Sequence, residues 1–191
     1  TDVVDVITGN AKKDTLTGAK GADDIRGLAG NDKLFGKAGN DKLDGGNGND
    51  VLVGGAGGDR LIGGKGKDTA SYEDAGAGVT ASLANPKKNK GDAKGDSYSS
   101  IENLTGSAKA DKLTGDDGAN VIKGGGGNDT LSGGKGADTL VGNSGADKLT
   151  GGGGADVFVF GSAKDSTLKK NGRDVITDFS QAQKDVIDVS G

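Results

Sequence analysis

A repeat of nine residues governs most of the sequence. Thirteen units align, seven of them without a gap over 9–71 and six over 106–159. Position one is glycine in every unit, position six is aspartate except at Asn120, and position eight is Leu, Ile or Phe except at Ala70. One apolar side chain per unit cannot bury a face alone, so the units have to stack to form a core. The repeat therefore predicts a solenoid of stacked coils.

Each position of the repeat has a mechanical interpretation. Glycine at position one, and at position four except for Lys12 and Lys109, is expected where the chain turns with φ above zero. Residues seven to nine are expected to form a very short strand with the position-eight side chain pointing inward. Two units then make one coil, and neighbouring coils are expected about 4.8 Å apart.

A coil of two units places alternate aspartates on the same edge. Like charges about 5 Å apart repel by roughly 3 kcal/mol at an effective dielectric near 20, so the metal-free coil is expected to be poorly stable. A divalent cation between successive coils reverses this repulsion, and carboxylate and carbonyl oxygens are the ligands that calcium prefers. The sequence thus predicts rows of Ca²⁺ ions. The predicted rows are Asp14, Asp32, Asp50 and Asp68 against Asp23, Asp41 and Asp59, then Asp111, Asp129 and Asp147 against Asn120, Asp138 and Asp156.

Composition excludes several classes of function. The chain has 40 glycines and 31% hydrophobic residues, which would suggest a disordered linker if the repeat were not so strict. His 0 and Cys 0 exclude disulfides, and zinc sites or nucleophilic triads that use these residues. A net charge of −4 gives no electrostatic case for nucleic acid. No apolar run is long enough for a transmembrane helix, and no signal peptide is visible. Because the chain starts within the pattern, we expect it to be a piece of a longer protein.

Units such as GGAGGDRLI (54–62) resemble the nonapeptide G-G-x-G-x-D-x-U-x of the repeats-in-toxin (RTX) family. The resemblance implies a right-handed parallel β-roll with calcium in its turns, in a bacterial protein that a type I system exports and that folds outside the cell. It also implies that the ligands are the position-six carboxylates and the backbone carbonyls of the position-four glycines. Carried onto this chain, these ligands are Asp23, Asp32, Asp41, Asp50, Asp59, Asp68, Asp129, Asp138, Asp147 and Asp156, with Gly21, Gly30, Gly39, Gly48, Gly57, Gly66, Gly127, Gly136, Gly145 and Gly154.

Some units depart from the pattern and are weaker metal candidates. The turns before Asp14 and Asp111 lack the position-four glycine, and Asn120 lacks the charge, so these turns are expected to be caps or half-sites. The carboxy-terminal stretch carries D-x-I-x-D-F and D-x-I-D, which resemble the cap of serralysin-type secreted proteases. Its aspartates are further weak candidates: Asp174, Asp178, Asp185 and Asp188.

The chain divides into four predicted segments. They are a first roll with its lead-in over 1–71, a spacer over 72–105, a second roll over 106–160 and a capping segment over 161–191. In the spacer, 78–84 reads as a strand and 85–96 as a mobile basic loop. Asp92 and Asp96 there are candidates for an extra calcium site, with a solvated loop as the alternative.

Two surfaces of the chain are candidates for binding partners. A cluster of Lys87, Lys88, Lys90 and Lys94 suits an anionic polysaccharide, with an ordinary soluble loop as the alternative. Phe35, Val51 and Val53 are expected to form a small exposed patch that could dock an upstream domain or 161–191.

The fold class predicted from the sequence is an all-β, parallel β-solenoid in two blocks with a spacer and a cap. The predicted function is a calcium-binding module of a secreted or cell-surface bacterial protein, disordered without calcium. Two alternatives stay open: a polysaccharide- or surface-binding adhesion module, and the non-catalytic carboxy-terminal part of a secreted hydrolase, protease or epimerase. Catalysis within these residues is not expected, because no candidate nucleophile or base constellation is visible.

Overall fold

The computed structural model describes residues 4–161 and 173–190, and in these the chain is a parallel β-solenoid of about nine turns. One side of the solenoid is a continuous nine-stranded sheet, called here the long sheet. Its strands, in spatial order, are β2 (Thr15–Thr17), β4 (Lys33–Ala38), β6 (Val51–Ala56), β8 (Thr69–Ser71), β11 (Asn103–Thr105), β13 (Val121–Gly126), β15 (Thr139–Ser144), β17 (Val157–Val159) and β19 (Val186–Asp188).

Two five-stranded sheets form the opposite side. The first consists of β1 (Val6–Thr8), β3 (Asp24–Ala29), β5 (Lys42–Asn47), β7 (Arg60–Lys65) and β10 (Ser97–Ser99). The second consists of β9 (Thr80–Ser82), β12 (Lys112–Thr114), β14 (Thr130–Lys135), β16 (Lys148–Gly153) and β18 (Val175–Ile176). The described 3₁₀ turns are Pro86–Lys88, Gly91–Ala93 and Gln181–Gln183.

The register between strands confirms the coil of two repeat units. Leu34 of β4 pairs with Leu52 of β6, and Leu43 of β5 pairs with Leu61 of β7. The position-eight side chains are therefore stacked in two facing columns, and they form the buried core. Its fully buried large members are Ile25, Leu34, Leu43, Leu52, Leu61, Leu104, Leu113, Ile122, Leu131, Leu140, Leu149 and Phe158.

The strands inside the arrays are longer than the sequence suggested. Strands such as β3, β4 and β5 have six residues and run from position seven through position three of the next unit. Pairing continues past the position-one glycine, as in Leu28↔Gly46 and Ala29↔Asn47. The expectation of three-residue strands was wrong because the backbone stays extended enough on both sides of this glycine to keep its ladder.

The glycines at position one and at position four of the repeat have different roles. Glycine at position four takes φ above zero as expected, for example φ 144° at Gly39, with Gly118 as the exception. Position one does not, and the sequence prediction was wrong there. The second positive φ in the turn falls at position two instead, even where the residue is Leu28 (φ 78°) or Lys37 (φ 86°).

The spacer is part of the solenoid. Leu104 of β11 pairs with Ala70 of β8 on one side and with Ile122 of β13 on the other, so the long sheet runs through both arrays. The predicted strand at 78–84 is present as β9. The stretch 85–96 packs rather than lying free in solvent, since Ala93 is fully buried and Asn89 is buried. Whether the four predicted segments are separate folding units stays a prediction.

The expected apolar patch is wrong at Val53. This side chain is only 5% exposed, because the turn Gly91–Ala93 packs against β6. Phe35 is half-buried and contacts the ammonium groups of Lys33 and Lys37, at 5.0 and 5.4 Å from its ring centre. Of the described residues, none lies in a helix that is long and apolar enough to cross a membrane.

Candidate metal sites

The position-six aspartates form hydrogen-bonded ladders along both edges of the solenoid. Oδ1 of Asp41 accepts the backbone N–H of Asp23 at 2.8 Å, and Oδ1 of Asp59 accepts that of Asp41 at 2.9 Å. The same bond joins Asp14 to Asp32, and Asp32 to Asp50. Each of the accepting carboxylates is therefore bound to the backbone of the coil before its own. The aspartates of the two predicted rows thus follow one another along the two edges of the solenoid.

In most of the interior aspartates, the second carboxylate oxygen has no donor. Oδ2 is buried and accepts no hydrogen bond in eight aspartates of the described chain. They are Asp32, Asp41, Asp50, Asp59, Asp68, Asp129, Asp138 and Asp156. A buried carboxylate oxygen that lacks a donor is costly, so a repeated row of them indicates that a positive partner belongs there.

The turn surrounds each of these oxygens with backbone. A Cβ on Gly36 would lie 2.6 Å from the carbonyl oxygen of Gly54 and closer still to Oδ2 of Asp41. Position one is therefore glycine because a side chain would fill the space between these oxygen atoms.

Burial raises the pKa of several ladder carboxyl groups. Desolvation is the main cause, and neighbouring carboxylates add to it, while the backbone N–H that each one accepts opposes it. The pKa of Asp59 rises to about 7 and that of Asp129 to about 7. Those of Asp68 and Asp138 rise to about 6. Those of Asp41, Asp50 and Asp156 are also raised. Because burial makes these carboxyl groups harder to ionise, a bound cation would be needed to keep the whole row ionised at neutral pH.

The donor set fits a hard cation. It consists of carboxylate and carbonyl oxygens, with no nitrogen or sulfur ligand, which suits calcium rather than zinc. Over 4–161 and 173–190, no group of three or more acidic side chains converges on one point. A cation between coils would therefore take carboxylates from the ladder and the rest of its shell from backbone carbonyls.

Comparison with known families decides the identity of the repeat. The model of the RTX calcium-binding nonapeptide repeat, built of four copies, matches 1–34, 35–70, 98–131, 105–140 and 132–166, which is well over half of the chain. The chain belongs to the RTX calcium-binding repeat family. No curated protein matches the chain. RTX repeats are calcium-binding, non-catalytic modules that are typical of secreted bacterial proteins.

The first coil of each RTX array differs from the interior coils. Oδ2 of Asp14 accepts the N–H of Asn10 at 2.7 Å, and Oδ2 of Asp23 accepts that of Ala19 at 2.9 Å. Oδ2 of Asp111 accepts the N–H of Ser107 at 2.6 Å. In these turns position two does not take the positive φ of the interior units, so its N–H points at the carboxylate. Asp14 and Asp111 were the expected exceptions, whereas Asp23 was not.

The carboxy-terminal aspartates have three different roles. Asp174 and Asp185 continue the ladders, since their Oδ1 atoms accept the N–H groups of Asp147 at 2.8 Å and Asp156 at 3.1 Å. Asp178 instead accepts the N–H groups of Gly151 and Gly152. Asp188 lies off the ladders: hydrogen bonds from the side chain and from the backbone N–H of Ser190 lower its pKa. The stretch 162–172 of the predicted cap lies outside the described residues.

Two residues of the spacer occupy ladder positions that the nine-residue repeat does not predict. Oδ1 of Asp96 accepts the N–H of Asp59 at 2.8 Å, and Oε2 of Glu102 accepts that of Asp68 at 2.8 Å. The sequence predicts Asp96 only as part of a separate loop site with Asp92, and it does not predict Glu102 as a ligand. The signal for Glu102 was available, because it precedes Leu104 and Gly106 at the same spacing as a position-six aspartate.

Proposed function

We propose that this RTX module is a calcium-responsive folding and stabilising unit of a secreted bacterial protein. It is disordered where calcium is scarce and becomes a solenoid after export, through a type I system, into a calcium-rich exterior. The observation that carries the proposal is the row of buried Oδ2 atoms that accept no hydrogen bond. Extracellular calcium modules typically bind with dissociation constants of about 10⁻⁴–10⁻³ M, which matches a switch of this kind.

The proposed ligands are the ladder carboxylates and the turn carbonyls of the interior coils. In this proposal each ion lies between successive coils and contacts an Oδ2 atom that no N–H reaches. The first coils, at Asp14, Asp23 and Asp111, are weaker sites, because a backbone N–H already occupies Oδ2. Asp174 and Asp185 are candidates for the last sites along the two edges.

Folding and calcium binding are coupled because neither is favourable alone. Without metal, the ladders keep like charges close together and bury them. The core has one apolar side chain per repeat unit, and this has to outweigh roughly 1–2 kcal/mol of backbone entropy per residue. With calcium, the ion links two coils and replaces repulsion by attraction.

A calcium titration followed by circular dichroism tests the proposal. We expect disorder in chelator and β-structure in about 5–10 mM calcium, well above the usual range of such modules. The double substitution Asp41→Ala and Asp59→Ala removes two neighbours on one edge and should raise the calcium midpoint severalfold. A wild-type chain that is already folded in chelator, with a melting curve unchanged by calcium, would contradict the proposal.

The matched control is Asp44→Ala with Asp117→Ala. It removes the same charge from carboxylates that lie off the ladders, and Asp117 is 77% exposed in its ion pair with Lys135. We expect this variant to titrate like the wild type. An equal rise of the midpoint in both variants would mean that net charge, and not the ladder, sets the calcium requirement.

A groove on the spacer favours binding of an anionic polysaccharide as a second function. It has a volume of about 600 Å³ and is open to solvent. Its lining has hydroxyl groups and ammonium groups but no acidic side chain, and includes Thr80, Ser82, Lys87, Lys88, Lys90 and Lys112. Lys94 of the predicted cluster is not among the lining residues. Hydroxyl and ammonium donors along one groove suit a chain of uronic acid sugars.

Binding of a polyuronate in calcium, measured by calorimetry, tests this second function. Lys87→Gln, Lys88→Gln and Lys90→Gln together should weaken binding at least tenfold and flatten its dependence on salt. The control is the triple variant Lys65→Gln, Lys67→Gln and Lys109→Gln. These three lysines are exposed and lie outside the groove. If both triple variants lose the same affinity, the attraction is general and the groove is not a site.

A further inference from the structure

The ladder between the two arrays is completed by side-chain donors. Asp96 occupies the ladder position that follows Asp59, since its Oδ1 accepts the N–H of Asp59. Unlike the interior aspartates, it also accepts a hydrogen bond at Oδ2, from the hydroxyl of Tyr72 at 2.8 Å. Tyr72 is 3% exposed and stands at position one of a unit, where every array has glycine. Its N–H still makes the position-one bond, to the carbonyl of Thr105. The hydroxyl thus supplies the hydrogen-bond donor that Oδ2 lacks in the interior coils.

Asn120 has the equivalent role on the other edge. Its Nδ2 donates to the carbonyl oxygen of Glu102 at 2.7 Å and lies 3.3 Å from Oδ1 of Asp116. Its Oδ1 accepts the N–H of Asp116. The amide nitrogen therefore lies among the same kinds of oxygen, carbonyl and carboxylate, that a calcium ion would take as ligands. Asn120 is buried, so this contact is not a chance surface bond.

We propose that the Tyr72 hydroxyl and the Asn120 amide replace calcium ions where the two arrays meet. This inference rests on the proposed function of the interior ladders. At these two positions the wild-type protein binds no metal, so the ladder is divided into two sets of calcium sites joined by a metal-free coil. The sequence change that creates this division is small: a glycine position becomes tyrosine, and an aspartate position becomes asparagine.

The substitution Asn120→Asp should convert the second position into a calcium site. The new carboxylate would keep its bond with the N–H of Asp116 and would place an unsatisfied oxygen beside the Glu102 carbonyl and the Asp116 carboxylate. Three oxygen atoms would then face a space that opens onto a groove of about 550 Å³. Removal of the hydroxyl by Tyr72→Phe should act in the same way at Asp96, whose Oδ2 would become like those of the interior coils.

Counting bound ions at saturating calcium, by native mass spectrometry and equilibrium dialysis, tests the inference. Asn120→Asp should bind one ion more than the wild type, and so should Tyr72→Phe. The control is Asn128→Asp, which adds the same charge at an exposed position-five residue off the ladder and should leave the count unchanged. A folded Asn120→Asp with the wild-type count would overturn the proposal, as would an extra ion in the control.

The wild-type protein provides a check that depends on no variant. In a crystal structure grown in calcium, we expect ions in the interior turns and none within coordination distance of Asp96 Oδ2 or the side chain of Asn120. Ions at those two positions as well as in the arrays would overturn this inference alone. Absence of calcium from every turn would instead defeat the proposed function.

Discussion

At the scale of the residue, steric restriction determines why position one of the repeat is glycine. The backbone there does not need glycine for its conformation, since its φ is not in the left-handed region. It needs glycine because the carboxylate of its own unit and a carbonyl of the next coil occupy the place of a side chain. A mutation there therefore acts on the oxygen cage of the turn rather than on the path of the chain.

Gly36→Ala tests this interpretation. The added methyl group would contact Oδ2 of Asp41 and the Gly54 carbonyl, so we expect a loss of about 1–3 kcal/mol, as for other overpacked sites, and a weaker response to calcium. Gly153→Ala is the control, because a Cβ there would meet nothing within 4 Å and its φ is not positive. Thermal unfolding in calcium compares the two, and equal stability of both variants would refute the spatial role.

At the scale of the element, the last coil is covered by the segment after the second array. Strands β18 and β19 pair with β16 and β17. The ring of Phe179 lies 6.4 Å from that of Phe158, centre to centre. Phe158 is fully buried and Phe179 is 41% exposed, so the outer ring shields the end of the core. We infer that 173–190 acts as a cap.

Phe179→Ala should loosen this end selectively. Loss of the aromatic contact should cost about 0.5–1.5 kcal/mol, and hydrogen exchange should increase in β17 and β19 while β4 and β6 stay protected. The reason is that each coil contacts mainly its neighbours. Exchange that rises equally along the whole solenoid would show that the molecule opens as a single unit and that no separate cap exists.

Sequence reasoning succeeded at the elements that repeat and failed at those that do not. The period of the repeat is enough to predict the coil, the inward Leu and Ile residues and the two rows of aspartates. It is not enough to predict that Val53 is covered by the Gly91–Ala93 turn, because this contact depends on how a non-repeating stretch folds back. Likewise Asp96 reaches the ladder only because the spacer adds a strand to the first five-stranded sheet, which no local pattern reveals.

At the scale of the whole molecule, protons and calcium should act on the same fold. Carboxyl groups such as Asp59 and Asp129 have a pKa of about 7 in the metal-free fold, whereas in the unfolded chain they titrate near their usual value. The folded state therefore binds extra protons between these values. This proton binding adds to the free energy of unfolding. The contribution is complete below the pKa that the carboxyl groups have in the unfolded chain, and it is lost as the pH rises through about 6 to 7.

Acidification should accordingly replace part of the calcium requirement. In chelator we expect more β-structure at pH 5 than at pH 7.5, because the raised pKa values favour the folded state at the lower pH. Circular dichroism at the two pH values measures this effect. A chain that is equally disordered at both would show that burial of the ladder charges is not what prevents folding without metal.

The ladder that joins each coil to the next also decides how the module would respond to a mechanical load. Its strands are parallel and their hydrogen bonds run along the axis of the solenoid, so a pull on the two ends stretches these bonds coil by coil rather than shearing a sheet at once. Each released coil of two repeat units would give roughly 60 Å of extended chain in place of a rise of about 4.8 Å. In a protein tethered at a cell surface, such a module would lengthen in steps and rewind when the load falls, with dissolved calcium setting the force of each step.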